Sequence, residues 1–369
     1  MRKLILLTFL IFVFGVLQAK TPQTSQVHTH YKVMFYNVEN YFDTKDDPDK
    51  NDNDFLPEGK KHWTYNKMEE KRNSIAKVIT AVGEGTPVAI VGMCEVENDY
   101  VLTSLVKYSP LKNYGYKFIH YESADKRGID TALLYDPEQF IPISSKPLRK
   151  EFKDGKLTRD VLYVSGKTSL GDTLHVFVCH APSRIGGKNK SEHYRVAVMS
   201  MVREHTDSIM SINPNANIII MGDFNDSPID KSISVALGAK PLEAPYSNEN
   251  LYNMFHQFMS NPFFGTHKYQ SEWSILDQII VSGNLLNSGR LHEENAYIFR
   301  AEFLLEVDKK NMNVRPKRTF NGLRYNGGYS DHLPIVIVLK GKKREMHIPI
   351  LSHLDKMWVS GEVVISAVL

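Results

Sequence analysis

The sequence predicts an α/β fold, and three observations carry that reading. Short apolar runs recur along the chain and close on polar residues. Amphipathic stretches of helical period lie between several of them, and strands alternating with helices define the α/β class. The composition, 42% hydrophobic and 24% charged over 369 residues, is a globular balance with room for one large domain or two ordinary ones. No internal repeat or long low-complexity linker divides the chain, so one continuous domain from about residue 29 to 340 is expected.

In chain order, the start "MRKLILLTFLIFVFGVLQAK" places Arg2 and Lys3 before an apolar run from Leu4 to Val16 and the small Ala19. That pattern predicts a signal peptide over residues 1–19, too short and wrongly flanked for a stable span. No Cys follows the run, which argues against a lipoprotein anchor. The expected mature protein is secreted or periplasmic, monomeric and without a transmembrane segment. Its removal takes two positive charges from a net of +3, leaving about +1. A near-neutral chain does not advertise a nucleic-acid binder, although a local basic face is compatible with it.

The expected strands are "YKVMFYNVEN", "VAIVGMCEVEN", "DTALLYD", "LHVFVCHAPS", "NIIIMGDFND", "LDQIIVS" and "LPIVIVLK". In "TYNKMEEKRNSIAKVITAVGEG" the residues Met68, Ile75, Val78, Ile79 and Val82 share one helical face, and Gly83 and Gly85 supply a stop. A second helix is expected over "SEHYRVAVMSMVREHTDSIM", with Ser191 as N-cap, Glu192 in its first turn and Arg195 on a solvated face. The insert at residues 43–62 is Asp-rich. Asp47, Asp49, Asn51 and Glu58 match the first, third, fifth and twelfth positions of a calcium loop, but Asp52 stands where that loop needs glycine. It reads as a solvated loop. Cys94 and Cys179 sit inside apolar runs and read as buried free thiols, although export leaves a disulfide open. Residues 341–369 fit no motif and form an extension of unknown role.

The chemistry-bearing residues stand where strands end, the place open α/β sheets reserve for ligands. They are Asn37 in "FYNVEN", Glu95 in "GMCEVEN", His180 in "VCHAPSR", Asp223 and Asn225 in "GDFND", Asp277 in "SILDQ", and Asp331 with His332 in "SDHLP". Each has an ordinary reading: a turn residue, a satisfied core histidine, a cap. Glu95 has the weakest, because burying a carboxylate at the end of an apolar run is costly without a partner. Together and in this order they resemble the endonuclease/exonuclease/phosphatase family, over roughly residues 30–340, with "GDFN" and "SDHLP" specific in combination.

That resemblance implies a four-layer, deoxyribonuclease I-like sandwich of two facing mixed β-sheets flanked by helices. It implies hydrolysis of phosphate esters with a divalent metal, magnesium first and manganese or calcium as substitutes. By position, Glu95 resembles the principal metal ligand, with Asn37 beside it and Asp331 as a further metal-side carboxylate. Asp223 resembles the carboxylate that positions or deprotonates water, and Asn225 the amide that orients water and phosphate. His332 resembles the histidine at the scissile phosphate, held by Asp277. His180 matches a histidine of the deoxyribonuclease I and phosphatase branches, where repair enzymes carry tyrosine. Asp130 in "RGIDTALLYDP" is its candidate partner, with a hydrogen-bonded turn carboxylate as the other reading. Arg184 is the candidate phosphate-binding arginine. Tyr269 and Trp273 precede Asp277 and offer base stacking or simple core packing. The expected substrate is DNA or RNA. An inositol phosphate or phospholipid substrate is the alternative, and an inactive phosphate-binding module is the third.

Overall fold

The computed structural model describes residues 30–291, 295–311 and 313–340. The expected signal peptide and the terminal extension lie outside the described residues. The chain runs through β1 (His30–Tyr41), α1 (Tyr65–Gly83), β2 (Ile90–Val96), α2 (Asp99–Tyr108), β3 (Lys117–His120) and β4 (Asp130–Tyr135). It continues through β5 (Phe140–Leu148), β6 (Val161–Thr168), β7 (Thr173–His180), α3 (Lys188–Ile212), β8 (Asn217–Asp223), β9 (Ala239–Lys240) and β10 (Leu251–Asn253). After β11 (His267–Tyr269), β12 (Glu272–Ser274), β13 (Asp277–Ser282), α4 (Gly283–Asn287) and β14 (Ala296–Ile298) come two small hairpins. These are β15 (Leu305–Asp308) with β16 (Asn313–Pro316), and β17 (Phe320–Asn321) with β18 (Arg324–Tyr325); β19 (Ile335–Lys340) follows.

Two mixed sheets face each other, ordered β14-β19-β1-β2-β4-β3 and β5-β6-β7-β8-β13-β10-β9. Strand β8 shows why its run "IIIM" has no polar alternation. Ile219 and Met221 join the core between the sheets, while Ile218 and Ile220 pack with Val198, Met199 and Val202 of α3 on the outer face. A strand buried on both faces reads as a continuous apolar run. Helix α1 covers the other sheet through Met68, Ile75, Val78, Ile79 and Val82. The result is the four-layer sandwich. No helix among the described residues is long and apolar enough to cross a membrane.

Several elements escaped the sequence reading. Helix α2 begins at Asn98, whose side-chain oxygen accepts the N–H groups of Tyr100 and Val101 as an N-cap does. Strand β5 carries Pro142 and Pro147 and alternates between exposed and covered residues, which suits the edge of a sheet and hides the strand in the sequence. Helix α3 starts earlier than expected. Its N-cap is Gly187, and Ser191 lies inside the first turns with its hydroxyl donating to the Gly187 carbonyl. Arg195 is buried rather than solvated. Its Nε forms an ion pair with Asp226 at 2.7 Å, and its other nitrogens donate to Ser191 Oγ and the Lys188 carbonyl. The Asp-rich insert is only partly solvated: Asp52 is buried and accepts the Asp47 N–H, and Phe55 stacks on Phe42. Among the described residues its acidic side chains form no metal-ligand cluster. Cys94 and Cys179 are both buried and free.

Removing one member of a buried ion pair leaves the other charge uncompensated, at a cost of about 3–5 kcal/mol. Arg195→Met is therefore expected to lower stability on that scale in urea unfolding. The double variant Arg195→Met/Asp226→Leu should recover most of the loss, because no charge is then stranded. Gly222 sets a second constraint: a Cβ there would lie 2.3 Å from the Cys179 carbonyl oxygen on β7. Gly222→Ala is expected to cost about 1–3 kcal/mol by forcing β7 and β8 apart.

Candidate active site

The sheets bring their ends together at one place. His180 ends β7 and pairs in parallel register with Asp223, which ends β8; Asp223 in turn stands opposite Asp277, the first residue of β13. From the other sheet come Asn37 on β1 and Glu95 on β2. Both strands carry a bulge here, with the β1–β2 register shifting between Asn37 and Tyr41 and the β2–β4 register between Cys94 and Val96. The bulge sets Glu95 outside the ladder and re-aims its side chain.

The backbone is correspondingly strained. Among the described residues, seven non-glycine residues have positive φ, and Glu39 (52°), Asn40 (54°), Glu95 (63°) and Asn225 (51°) are four of them. Such conformations cost on the order of 1–3 kcal/mol each and persist where surrounding structure fixes them. The fixing contacts are visible. Asn40 N–H donates to Glu95 Oε2 at 3.0 Å, Glu39 N–H to Asn37 Oδ1 at 2.9 Å, and Asn225 N–H to Asp223 Oδ1 at 2.9 Å.

Asn37 joins the two sheets. Its Nδ2 donates to Asp223 Oδ2 at 3.1 Å and reaches Glu95 Oε1 at 3.4 Å. Its Oδ1 is engaged by the Glu39 N–H, so the amide presents hydrogens to the carboxylates. In this arrangement Asn37 positions Glu95 and Asp223. His180 Nε2 lies 3.7 Å from Asp223 Oδ2 and 3.9 Å from Glu95 Oε1. His332 Nε2 lies 3.8 Å from the same Asp223 oxygen, while its Nδ1 is hydrogen-bonded to Asp277 Oδ2 at 2.7 Å. Thr266 Oγ1 fixes the strand start by accepting the N–H groups of Leu276 and Asp277. Ser330 Oγ accepts the His332 N–H and donates to the Asn37 carbonyl, tying the "SDHLP" segment to β1.

The two histidines are held in opposite states. Burial lowers His180 well below the ordinary imidazole value, and the guanidinium groups of Arg159 and Arg127 push the same way, so it is neutral. Burial also works against charge on His332, but the carboxylates of Asp277 and Asp223 override it and hold the ring protonated. Burial raises Asp223 to about 7, with His332 pulling it down and Asp277 pushing it up. Asp331 stays ionised because His332, Arg318 and His267 outweigh its burial.

Other expected residues sit differently. Asp331 is paired to Arg318 at 2.8 Å and groups with His267 and His332. Arg318 is the bridge, since it feels both Asp331 and Glu95 and also pairs Glu39 at 3.1 Å. Asp130 does not meet His180. It accepts the Ser123 N–H and faces His120 of the neighbouring edge strand β3. Arg184 braces the loop after β8: its Nε donates to the Asn225 carbonyl at 2.6 Å and its guanidinium pairs Asp230 at 3.3 Å. One Asn225 amide hydrogen is committed to the Ala181 carbonyl at 3.1 Å. Tyr269 is exposed, and Trp273 is partly buried beneath the Arg300 guanidinium.

Glu39 and Arg318 belong to this constellation and were missed. Glu39 is buried, and its carboxyl is raised to about 7 by burial first and the Asp331 charge second. It carries the signal that singled out Glu95, a carboxylate closing an apolar run. Arg318 carries no such signal in "PKRTF".

The Endonuclease/Exonuclease/phosphatase family model matches residues 32–341. Truncated Caenorhabditis elegans TDP2 has a similar structure, with 15% identity, a TM-score of 0.51, and coverage of 84% of this chain and 97% of that one. So does D. rerio TDP2 complexed with single strand DNA product, at 16% identity, a TM-score of 0.50, and coverage of 85% and 99%. These likenesses show the fold. No curated protein matches the sequence. A family match that runs from β1 through β19 places the chain in the Endonuclease/Exonuclease/phosphatase family, metal-dependent hydrolases of phosphate esters.

Proposed function

We propose that the chain is an exported nuclease, hydrolysing DNA or RNA phosphodiester bonds with a divalent metal. The observation that carries the reaction is the buried set Asp277–His332–Asp223, joined through Asn37 to Glu95. Export rests on the residue pattern of positions 1–19 alone.

The donor set fits a hard divalent cation. Glu95 and Asp331 keep part of their side chains exposed, 14% and 22%; Glu95 Oε2 accepts the Asn40 N–H at 3.0 Å, and the donors near its Oε1 stand at 3.4 and 3.9 Å. Glu95 would hold the cation, with Asp331, paired to Arg318, as the further metal-side carboxylate. Oxygen ligands and retained waters suit magnesium, with manganese or calcium as substitutes. The metal would supply charge neutralisation for the phosphoryl oxygens.

The residues do the remainder. Asp223, with its carboxyl near neutrality, accepts the proton of the attacking water. That water's oxygen bonds to phosphorus as the ester P–O bond on the opposite side breaks. The His332 imidazolium donates to a phosphoryl oxygen, and Asp277 fixes its tautomer and orientation. Asn225 orients the water with its second amide hydrogen and carbonyl oxygen, and neutral His180 offers a further hydrogen bond. Nearly complete burial of Asp223, Asp277 and His332 keeps bulk water from screening these interactions.

A polyanionic strand is favoured over a small ester by the segment between β14 and β19. Residues 300–324 hold seven Lys and Arg against three Asp and Glu, on a chain whose net charge is only +3. Arg315, Arg318 and Arg324 line one open cavity with Asn321 and Asn326, and Arg318 leads from it to Asp331.

Asp223→Ala and His332→Ala are each expected to slow hydrolysis at least ~100-fold, in single-turnover rates on a labelled oligonucleotide. Equal rates in variant and wild type would place the activity elsewhere. Plasmid DNA, RNA, bis-p-nitrophenyl phosphate, inositol polyphosphate and sphingomyelin, each with magnesium and with chelator, test the substrate class. Turnover of nucleic acid abolished by chelator is expected, and turnover confined to the lipid or inositol phosphate would overturn the nuclease reading. Arg315→Ala/Arg324→Ala is expected to weaken polynucleotide binding and reduce its salt dependence by about one counter-ion per arginine. The rate on bis-p-nitrophenyl phosphate should be unchanged. Mature protein should begin near Lys20 when its N-terminus is sequenced after export.

A further inference from the structure

A second group of ligand-type side chains lies at the β3 edge of the first sheet, beside the strand that carries Glu95. His120 closes β3, Asp130 opens β4, and Glu122 stands in the loop between them. Their ligand atoms all lie within 4.8 Å of one another. Asp130 is almost wholly buried. One of its oxygens accepts the Ser123 N–H at 3.1 Å, and the other, Oδ2, is buried with no hydrogen-bond partner. His120 Nε2 is likewise buried without a partner and faces that oxygen at 3.5 Å, within ion-pair range but not hydrogen-bonded. The other ring nitrogen, Nδ1, is held by Asp99 Oδ1 at 2.8 Å. Two buried atoms, one basic and one acidic, thus face each other at ion-pair distance without a close hydrogen bond, beside the Glu122 carboxylate.

The charges around this group ask for a cation. Asp99, Glu122 and Asp130 bring three carboxylates; Arg149 acts on Asp130, and the other basic side chain set against them is Lys50. Its Nζ is engaged by the carbonyls of Ser123 and Asp125. A divalent ion replacing the imidazole proton would offset the three carboxylates more fully than that proton does. An imidazole held by a carboxylate through its outer nitrogen is the arrangement in which histidine binds metal.

We propose that His120, Glu122 and Asp130 form a second metal site, for a divalent transition cation, with Asp99 orienting His120. A nitrogen ligand beside two carboxylates favours manganese or zinc over magnesium, unlike the oxygen set around Glu95. The site lies one residue from the active-site bulge, since Asp130 pairs with Val96. A bound ion there would brace the strand end that carries Glu95.

The test is equilibrium dialysis of the chelator-stripped mature chain against Mn2+ in excess Mg2+, with retained manganese counted per chain and its paramagnetic resonance recorded. Wild type and Glu95→Gln should each retain one Mn2+. Glu122→Gln and His120→Ala should bind it at least ~10-fold more weakly, and Asp99→Asn about tenfold more weakly. Glu122 and Asp99 are exposed, so their variants should keep the wild-type melting curve and report binding alone. Failure of wild type to retain Mn2+, or equal retention by Glu122→Gln and His120→Ala, would overturn the site. Loss of retention in Glu95→Gln with none in the other variants would do the same.

Discussion

The constraint from which the rest of the site follows is the crowding of carboxylates at one end of two packed sheets. Glu39, Glu95, Asp223, Asp277 and Asp331 converge there, and three of them are almost wholly buried at Glu39, Asp223 and Asp277. Two such charges 4 Å apart repel by about 4 kcal/mol at an effective dielectric of about 20. Each carboxylate therefore has an assigned counter-group: His332 for Asp277, Arg318 for Asp331 and Glu39, and the Asn37 amide for Asp223 and Glu95. Glu95 keeps part of its carboxylate exposed, and on the proposed reading a cation sits beside it.

Holding these groups in place requires a stiff mount. The four strained positions at Glu39, Asn40, Glu95 and Asn225 together store several kcal/mol at about 1–3 each. The layers behind them supply the rigidity: β8 is buried on both faces, and Gly222 lets β7 approach so closely that no side chain fits between the strands. Arg195 and Asp226 extend the same bracing below the loop that carries Asn225. The strain is thus local to the chemistry, and the stability that sustains it lies one layer deeper.

The contrast between His180 and His332 shows how position alone divides identical side chains into different chemical roles. Both flank Asp223 at nearly the same separation. One faces arginines and stays neutral; the other leans on Asp277 and stays charged. On the proposed reading, a hydrogen-bonding group and a fixed positive charge stand on either side of the carboxylate that handles the proton. The basic segment after β14 would then meet a polyanion at the edge of this pocket.

Legible in the residues alone were the class of fold, seven of the strands, the two long helices and most of the polar residues at strand ends. Those features are written locally, in apolar runs and in the polar residues that close them. Edge strand β5, helix α2 and the small hairpins were hidden because their patterns are short, half-exposed or broken by proline. Tertiary structure alone decided the partners. Asn37 turns its amide hydrogens to the carboxylates because Glu39 takes its oxygen, Asp130 faces His120 instead of His180, and Arg184 and Arg195 brace loops. Arg318 bonds Glu39 across 279 positions. No window along the chain spans that distance; only the packing of one sheet on the other brings such groups within reach.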